Sequence, residues 1–273
     1  MHRFILAGFF VFHFIHSFAS HDNTPAGGRS SSLGNTSLGF ADVWSVHNNQ
    51  AAMAFLNKPA AGLYYENKFL IKELNVQAGA VVLPTKSGVF GLSLSYYGNK
   101  LYCEGKTGLA YAKNFGHRFS AGIQLDYLFT RIAENYGTRH SFTFEIGLLG
   151  KITKNLTLAA HVFNPINVRL ADYNNERIPA IIRLGVLYSF SDNLLVALEA
   201  EESISLKPGI NAGIEYRLLK KAFFRIGLSA SDHIQYSFGL GLDVKNISID
   251  IAAAYHPVLG ISPKASLGFI FNR

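Results

Sequence analysis

The chain has 273 residues, of which 49% are hydrophobic and 16% are charged, and its formal net charge is +7. This length suits one domain or one mid-sized barrel, and the 25 glycines and the 13% aromatic share favour strands and turns over helices. Cys103 is the only cysteine, which excludes an intramolecular disulfide. No basic run concentrates the charge, so nucleic-acid binding is not expected, whereas anionic lipid headgroups would suit the excess of Lys and Arg.

The first residues have the composition of an export signal. Met1-His2-Arg3 gives a positive start, Phe4–Phe18 is a largely apolar run, and Ser17-Phe18-Ala19 supplies small residues for signal peptidase. The run is shorter than the roughly 20 residues of a membrane-spanning helix, which disfavours the alternative of a membrane anchor. We therefore expect residues 1–19 to be a signal peptide, followed by a separate segment, residues 20–59, and a main domain, residues 60–273.

Alternation of apolar and polar residues begins near residue 60 and predicts strands with one apolar face. In residues 90–96, for example, Phe, Leu and Tyr alternate with Gly and Ser. Most of the strands have about the length of a tilted membrane strand, roughly 9–11 residues. About fourteen strands are predicted, with centres near Leu63, Ala78, Leu92, Leu109, Ile123, Ile146, Ala159, Val186, Leu198, Ala212, Ile226, Leu240, Ile251 and Leu267.

The connections between these strands alternate in length. Tight turns are predicted at Pro84–Ser87, Asn114–His117, Lys151–Asn155, Ser191–Asn193, Leu219–Lys221 and Lys245-Asn246. Longer connections are predicted at alternate positions, at Arg131–Arg139, Asn164–Arg177 and His256–Lys264. Short turns on one side and longer loops on the other are typical of an outer-membrane barrel whose two chain ends lie in the periplasm.

The two strand faces decide between a barrel and a soluble sandwich. The polar faces are mostly Gly, Ser and Ala, which suits a crowded lumen better than the water around a sandwich. The apolar faces are rich in aromatic residues, with Tyr near strand ends as in an interfacial girdle. The sequence thus predicts an all-β fold, an antiparallel transmembrane β-barrel of about 14 strands with an N-terminal plug segment, in the bacterial outer membrane.

The predicted plug is residues 20–59, which lack sustained alternation but contain scattered apolar residues. A flexible exported N-terminus is the alternative, although a tail in water would not need those residues. We expect Trp44 to anchor the segment in the lumen, because about fourteen strands enclose more space than small side chains fill. Arg29 could pair with Glu145 or Glu215 of the barrel, and Asp42 could pair with Arg183 or Arg217.

Charged residues on the polar faces are candidates for inward lumen charges. They could form a structural network of ion pairs that holds the plug, or they could line a polar path for a solute. The residues singled out are Asp126, Glu145, Arg183, Glu215, Arg217, Arg225 and Asp243.

No arrangement of residues points to catalysis. The histidines are scattered without metal-ligand spacing, and no nucleophile elbow, phosphate loop or cysteine pair is present in the sequence. We therefore expect a non-enzymatic protein with no metal and no cofactor. A lipase that uses a lumen-side Ser and His is the enzymatic alternative, but no single Ser is distinguished.

The N-terminal segment resembles the opening of the FadL-type superfamily. The resemblance lies in Gly28–Thr36, in Ala41-Asp42 and in Asn48–Ala54, where Gln50 stands at a position that is usually Pro. The run Ser237–Leu242 and the final strand resemble the Bacteroidetes branch of this superfamily, the PorV/PorQ proteins. That resemblance implies an outer-membrane barrel of fourteen strands associated with type IX secretion.

Two functions follow from the resemblance. The first is a component of envelope secretion or assembly, with secretion-machinery or cargo proteins as partners. The second is a FadL-like channel for small hydrophobic molecules. The location predicts a second group of partners, outer-membrane lipid and lipopolysaccharide.

Overall fold

The computed structural model describes residues 23–133, 137–170, 176–204 and 207–272. The predicted signal peptide, residues 1–19, lies outside these ranges. No helix in the described part of the chain is long and apolar enough to cross a membrane.

Fourteen antiparallel strands, each paired with its neighbours in sequence, close into one barrel through the pairing of the first strand with the last. The prediction of an antiparallel barrel with about fourteen strands is therefore confirmed. The strands are β1 Ala60–Asn67, β2 Asn75–Pro84, β3 Val89–Gly98, β4 Tyr102–Phe115, β5 Phe119–Ile132, β6 Gly137–Lys151, β7 Leu156–Phe163, β8 Ile181–Ser189, β9 Leu194–Ser203, β10 Gly209–Leu218, β11 Ala222–Ala230, β12 Ile234–Val244, β13 Ile247–His256 and β14 Gly260–Ile270.

Alternation along each strand separates two faces of the barrel, because successive side chains point to opposite sides of a sheet. Small and polar side chains point inward, as at Ser93, Ser120 and Ser237, which are all buried. Large apolar side chains point outward and are exposed; Phe142, for example, is 69% exposed and Leu240 is 61% exposed. An outer surface this apolar matches the lipid-facing band of a membrane barrel and would be a liability in water.

The connections differ partly from those predicted. The tight turns after even-numbered strands lie where expected, and the longest connection, residues 164–180, matches the expected long loop. The predictions of longer connections at Arg131–Arg139 and His256–Lys264 are wrong, because β5 continues to Ile132 and β14 already begins at Gly260. Strands that extend beyond the apolar band are in water and can have polar residues. Their composition is therefore similar to that of a loop.

The two ends of the barrel can be defined by the chain. We call the end where β1 begins and β14 ends the terminal end, and the other the opposite end. Within the ring lie three short helices, α1 Gly28–Ser32, α2 Ser45–Asn48 and α3 Gln50–Met53. Helix α1 contacts β11 to β14, whereas α3 contacts β3 to β6, so residues 23–59 cross the interior from one wall to the other.

Candidate functional site: the barrel interior

Glu145 on β6 is the centre of a buried polar cluster. Its Oε1 accepts a hydrogen bond from Lys106 Nζ at 2.8 Å, and its Oε2 lies 2.9 Å from His161 Nε2. All three side chains are buried on the inward face. Lys106 also donates to Asn23 Oδ1 at 2.8 Å, which connects this wall to the start of the N-terminal segment.

Gln50 completes the Glu145 cluster from the N-terminal segment. Its Nε2 donates to Glu145 Oε2 at 2.7 Å and lies 3.2 Å from the carbonyl oxygen of Val46. Asn49 caps the short helix α3 by accepting from the backbone N–H of Ala51. Sequence reasoning noted Gln50 only as a departure from proline, yet a proline could not donate these hydrogen bonds.

Glu215 on β10 is the centre of a second cluster on the other side of the lumen. Arg29 forms a bidentate pair with it, from Nε at 2.9 Å and from Nη2 at 2.7 Å. Arg225 donates to the same carboxylate at 2.6 Å and to Asp250 at 2.6 Å. The structure therefore places Arg29 at Glu215 and not at Glu145. The Arg29 guanidinium also lies 4.1 Å from the centre of the Phe40 ring.

Asp42 lies in the barrel interior but does not form the ion pairs that sequence reasoning expected. Its Oδ1 accepts from the backbone N–H of Trp44 at 2.9 Å, and its nearest charged influence is Arg29. Neither expected partner contacts it among the described residues: Arg183 lies against the Asn23 carbonyl at 3.1 Å instead. Burial raises the pKa of the Asp42 carboxyl to about 6, and the Arg29 guanidinium opposes that rise.

The remaining predicted lumen charges fall into two groups. Asp126 and Arg183 are buried, and Asp126 accepts a hydrogen bond from Gln124 Nε2 at 2.8 Å. Arg217 and Asp243 also face inward, but they are exposed at the terminal end of the barrel, where they line a cavity outside the buried clusters. Alternation gives a residue's face but not its depth, and both lie near strand ends, where the lumen opens to solvent.

Glu199 on β9 holds the N-terminal segment through its backbone. Its carboxylate accepts from the N–H groups of Ser37 and Leu38, the latter at 2.6 Å. No sequence signal indicated this contact, because every residue type except proline can present a backbone N–H.

One glycine pair brings backbone against backbone across the interior. A Cβ atom placed on Gly227 would lie 2.0 Å from the backbone nitrogen of Gly34. Gly34 has φ +67°, a left-handed conformation that glycine adopts without the strain of a side chain. The segment is thus seated directly on the β11 wall.

Several cavities border the N-terminal segment in the described part of the chain. The central cavity has a volume of about 230 Å³, and its lining combines Tyr64, Leu128 and Phe163 with charged side chains such as Glu66 and Lys106. The opposite cavity, of about 560 Å³, continues from it toward the opposite end. His47 lines the central cavity, and burial lowers the pKa of its imidazole to about 3, so it is neutral there.

The terminal cavity, of about 530 Å³, lies on the other side of Trp44 and opens at the terminal end. It combines the rings of Trp44 and Phe223 with the charges of Arg217 and Asp243. Trp44 packs edge-on against Tyr64, with ring centroids 5.9 Å apart. This aromatic contact therefore stands between the central and terminal cavities. Within the described ranges, no group of three or more His, Cys, Asp and Glu side chains could hold a metal ion.

Comparisons with known proteins bear on the fold. No protein-family model matches the chain, and no curated protein matches it. The P. putida toluene transporter TodX matches with a TM-score of 0.71 and 11% identity, over 92% of this chain and 100% of that chain. A Pseudomonas aeruginosa FadL homologue matches with a TM-score of 0.66 and 14% identity, over 90% of this chain and 97% of that chain.

The chain has the fold of FadL-type barrels. A TodX deletion mutant, described as a monoaromatic hydrocarbon channel, matches as well, with a TM-score of 0.72 and 12% identity over 92% of this chain and 100% of that chain. At 11–14% identity, these similarities show the fold alone. They give no support to the narrower PorV/PorQ resemblance.

Proposed function

We propose that the protein is a non-enzymatic outer-membrane channel for small hydrophobic molecules. The observation that carries this proposal is the pair of cavities separated by the Trp44–Tyr64 contact. A water-filled pore suits hydrophilic solutes, whereas partly apolar cavities in a filled interior suit molecules that leave water readily. Solved structures of similar fold include a toluene transporter, which favours transport over the secretion role implied by the PorV/PorQ resemblance.

In this proposal residues 20–59 form a plug, exported behind the signal peptide, and the terminal end faces the periplasm. Glu145, Glu199 and Glu215 hold the plug at separate points of the wall. A molecule would enter the opposite cavity, occupy the central cavity and pass the Trp44–Tyr64 contact as the segment shifts locally. A full release of the segment would expose buried charges and is not needed.

Trp44 offers a direct test, because it is the only tryptophan in the chain. We expect 4-bromotoluene to quench Trp44 emission in lipid vesicles with a saturable dependence on concentration. The matched control is the double variant Trp44→Phe, Phe142→Trp, which moves the reporter to the outward face. Its quenching should rise without saturation, since it reports only partitioning into lipid.

Vesicle flux completes the test. We expect toluene uptake to exceed that of protein-free vesicles, and glucose uptake to remain at the protein-free level. The variant Trp44→Ala should raise toluene uptake by opening the contact with Tyr64. Unsaturable quenching at Trp44 together with unchanged toluene uptake would contradict the channel, and glucose flux through the wild type would indicate an ordinary porin.

A further inference from the structure

The turns at the terminal end carry a ring of exposed cations. Every one of these turns contains a Lys or Arg except the turn with Asp192. The exposed cations in or beside the turns are Lys86, Lys113, Arg118, Lys154, Lys220, Lys221 and Lys245. None of them forms an ion pair with a residue in the described ranges, so their charge is available to a partner.

At the opposite end, the exposed cations of the described ranges outnumber the exposed acids by a smaller margin. Exposed cations such as Lys72 and Arg131 occur there together with exposed acids such as Glu73 and Glu202. Lys207 and Asp232 form an ion pair with each other. Among the described residues, the excess of exposed cations is therefore larger at the terminal end.

The position of the ring identifies the kind of surface that it faces. Arg118 lies next to the exposed ring of Phe119, and Lys220 follows Leu219, which is 90% exposed. Cations directly beyond an apolar band lie at the depth of lipid headgroups in a membrane barrel. Because the cations are spread around the circumference, they suit a continuous surface better than a compact protein partner.

We propose that this ring binds anionic glycerophospholipids, such as phosphatidylglycerol, in the inner leaflet around the periplasmic end. Phosphate groups would pair with the lysine and arginine side chains while the flanking Leu and Phe remain among the acyl chains. The proposal uses the orientation given above but does not depend on transport, so failure of the channel would leave it untouched.

Native mass spectrometry of the full mature protein tests the binding. The terminal-end variant carries Lys86→Gln, Arg118→Gln, Lys154→Gln and Lys220→Gln. The matched control carries the same number of neutralised cations at the opposite end, namely Lys72→Gln, Lys100→Gln, Arg131→Gln and Arg139→Gln. We expect the apparent affinity for phosphatidylglycerol to fall at least roughly tenfold in the terminal-end variant and to change little in the control, since each basic residue near an anionic surface contributes about fivefold.

Lipid A provides the comparison with the outer leaflet. The proposal predicts that the terminal-end variant loses more affinity for phosphatidylglycerol than for lipid A. Equal phosphatidylglycerol affinity in all three proteins would overturn it, as would a greater loss of lipid A binding. Retained heat-modifiable gel mobility shows that a variant has assembled, and the pair Lys220→Gln, Lys221→Gln replaces the fourfold variant if assembly fails.

Discussion

Two buried carboxylates hold the same segment in different ways. Glu145 is already paired with Lys106 and His161 of the barrel wall, and it receives only a neutral amide from Gln50. Glu215 instead receives the guanidinium of Arg29, so the segment itself brings charge. The Glu145 side chain is fully buried, whereas the Arg29 side chain is 26% exposed.

This difference indicates which part of the segment is held rigidly and which part can shift. A wall cluster that is balanced before the segment docks keeps its stability when the segment shifts. A pair that depends on the segment breaks when the segment moves, but its exposure to water lowers the cost of breaking it. The α1 end of the segment is therefore the part better suited to local opening, and α3 is the part better suited to remain fixed.

The largest effect is expected for Glu145→Ala. It leaves Lys106 buried without its carboxylate, and breaking a buried pair in this way costs about 3–5 kcal/mol. Urea unfolding in phospholipid vesicles measures the loss. The exposed Glu202→Ala serves as control, and equal losses in the two variants would show that the Glu145 cluster is not a structural centre.

Phe238→Arg allows the stability loss from a change on the outward face to be compared with the loss from a change in the interior. Arginine at mid-depth on the lipid face costs roughly 2–4 kcal/mol of barrel stability. The same unfolding measurement should therefore give a loss comparable with, but below, that of Glu145→Ala. An unchanged stability would mean that Phe238 does not contact the hydrocarbon.

Arg29→Ala should affect the segment more than the barrel. Glu215 keeps Arg225 as a partner, so the loss is that of hydrogen bonds to a charged group, about 1.5–3 kcal/mol. We expect Trp44 emission to shift to the red as α1 loosens, while Arg29→Lys retains part of the wild-type spectrum. If Gln50→Leu gives the larger shift, the assignment of the mobile and fixed ends is reversed.

The smallest effect concerns pH. The pKa of Asp42 is raised from 3.8 to about 6, so the protonated form favours the packed segment. That stabilisation is complete below the ordinary pKa and is lost as the pH rises through about 6. We expect Trp44 emission to show a small pH-dependent change between these values that Asp42→Asn abolishes. Asp243→Asn, in the same cavity, should retain the change.

The sequence was sufficient to predict the barrel because lipid imposes one simple rule on every strand. Every second residue of a strand is apolar and faces lipid, as at Phe142 and Leu240. This alternation indicates the number of strands, their centres and their inward residues, even when the contacts of each side chain are unknown. Pairings inside the lumen follow no such rule. Alternation places Arg29's candidates Glu145 and Glu215 on the inward face, but which of them faces Arg29 depends on the stagger of strands around the ring.

Contacts made through backbone or through neutral side chains were harder to foresee. Gln50 and Glu199 hold the segment by an amide and by backbone N–H groups, and neither carries a charge pattern that predicts its partner. The close approach of Gly34 to Gly227 likewise becomes visible only when the two elements are placed together. Alternation also does not indicate how far a residue lies from the end of the barrel, so the exposure of Arg217 and Asp243 could not be predicted.

The most direct test of the account is whether the N-terminal segment blocks the lumen. Single-channel recording in planar bilayers compares the wild type with a protein that lacks residues 24–57 behind an intact signal, after gel mobility has shown that both are assembled. A filled interior predicts little or no ion conductance for the wild type and stable open-pore conductance for the deletion. Equal conductance of the two proteins would contradict the account.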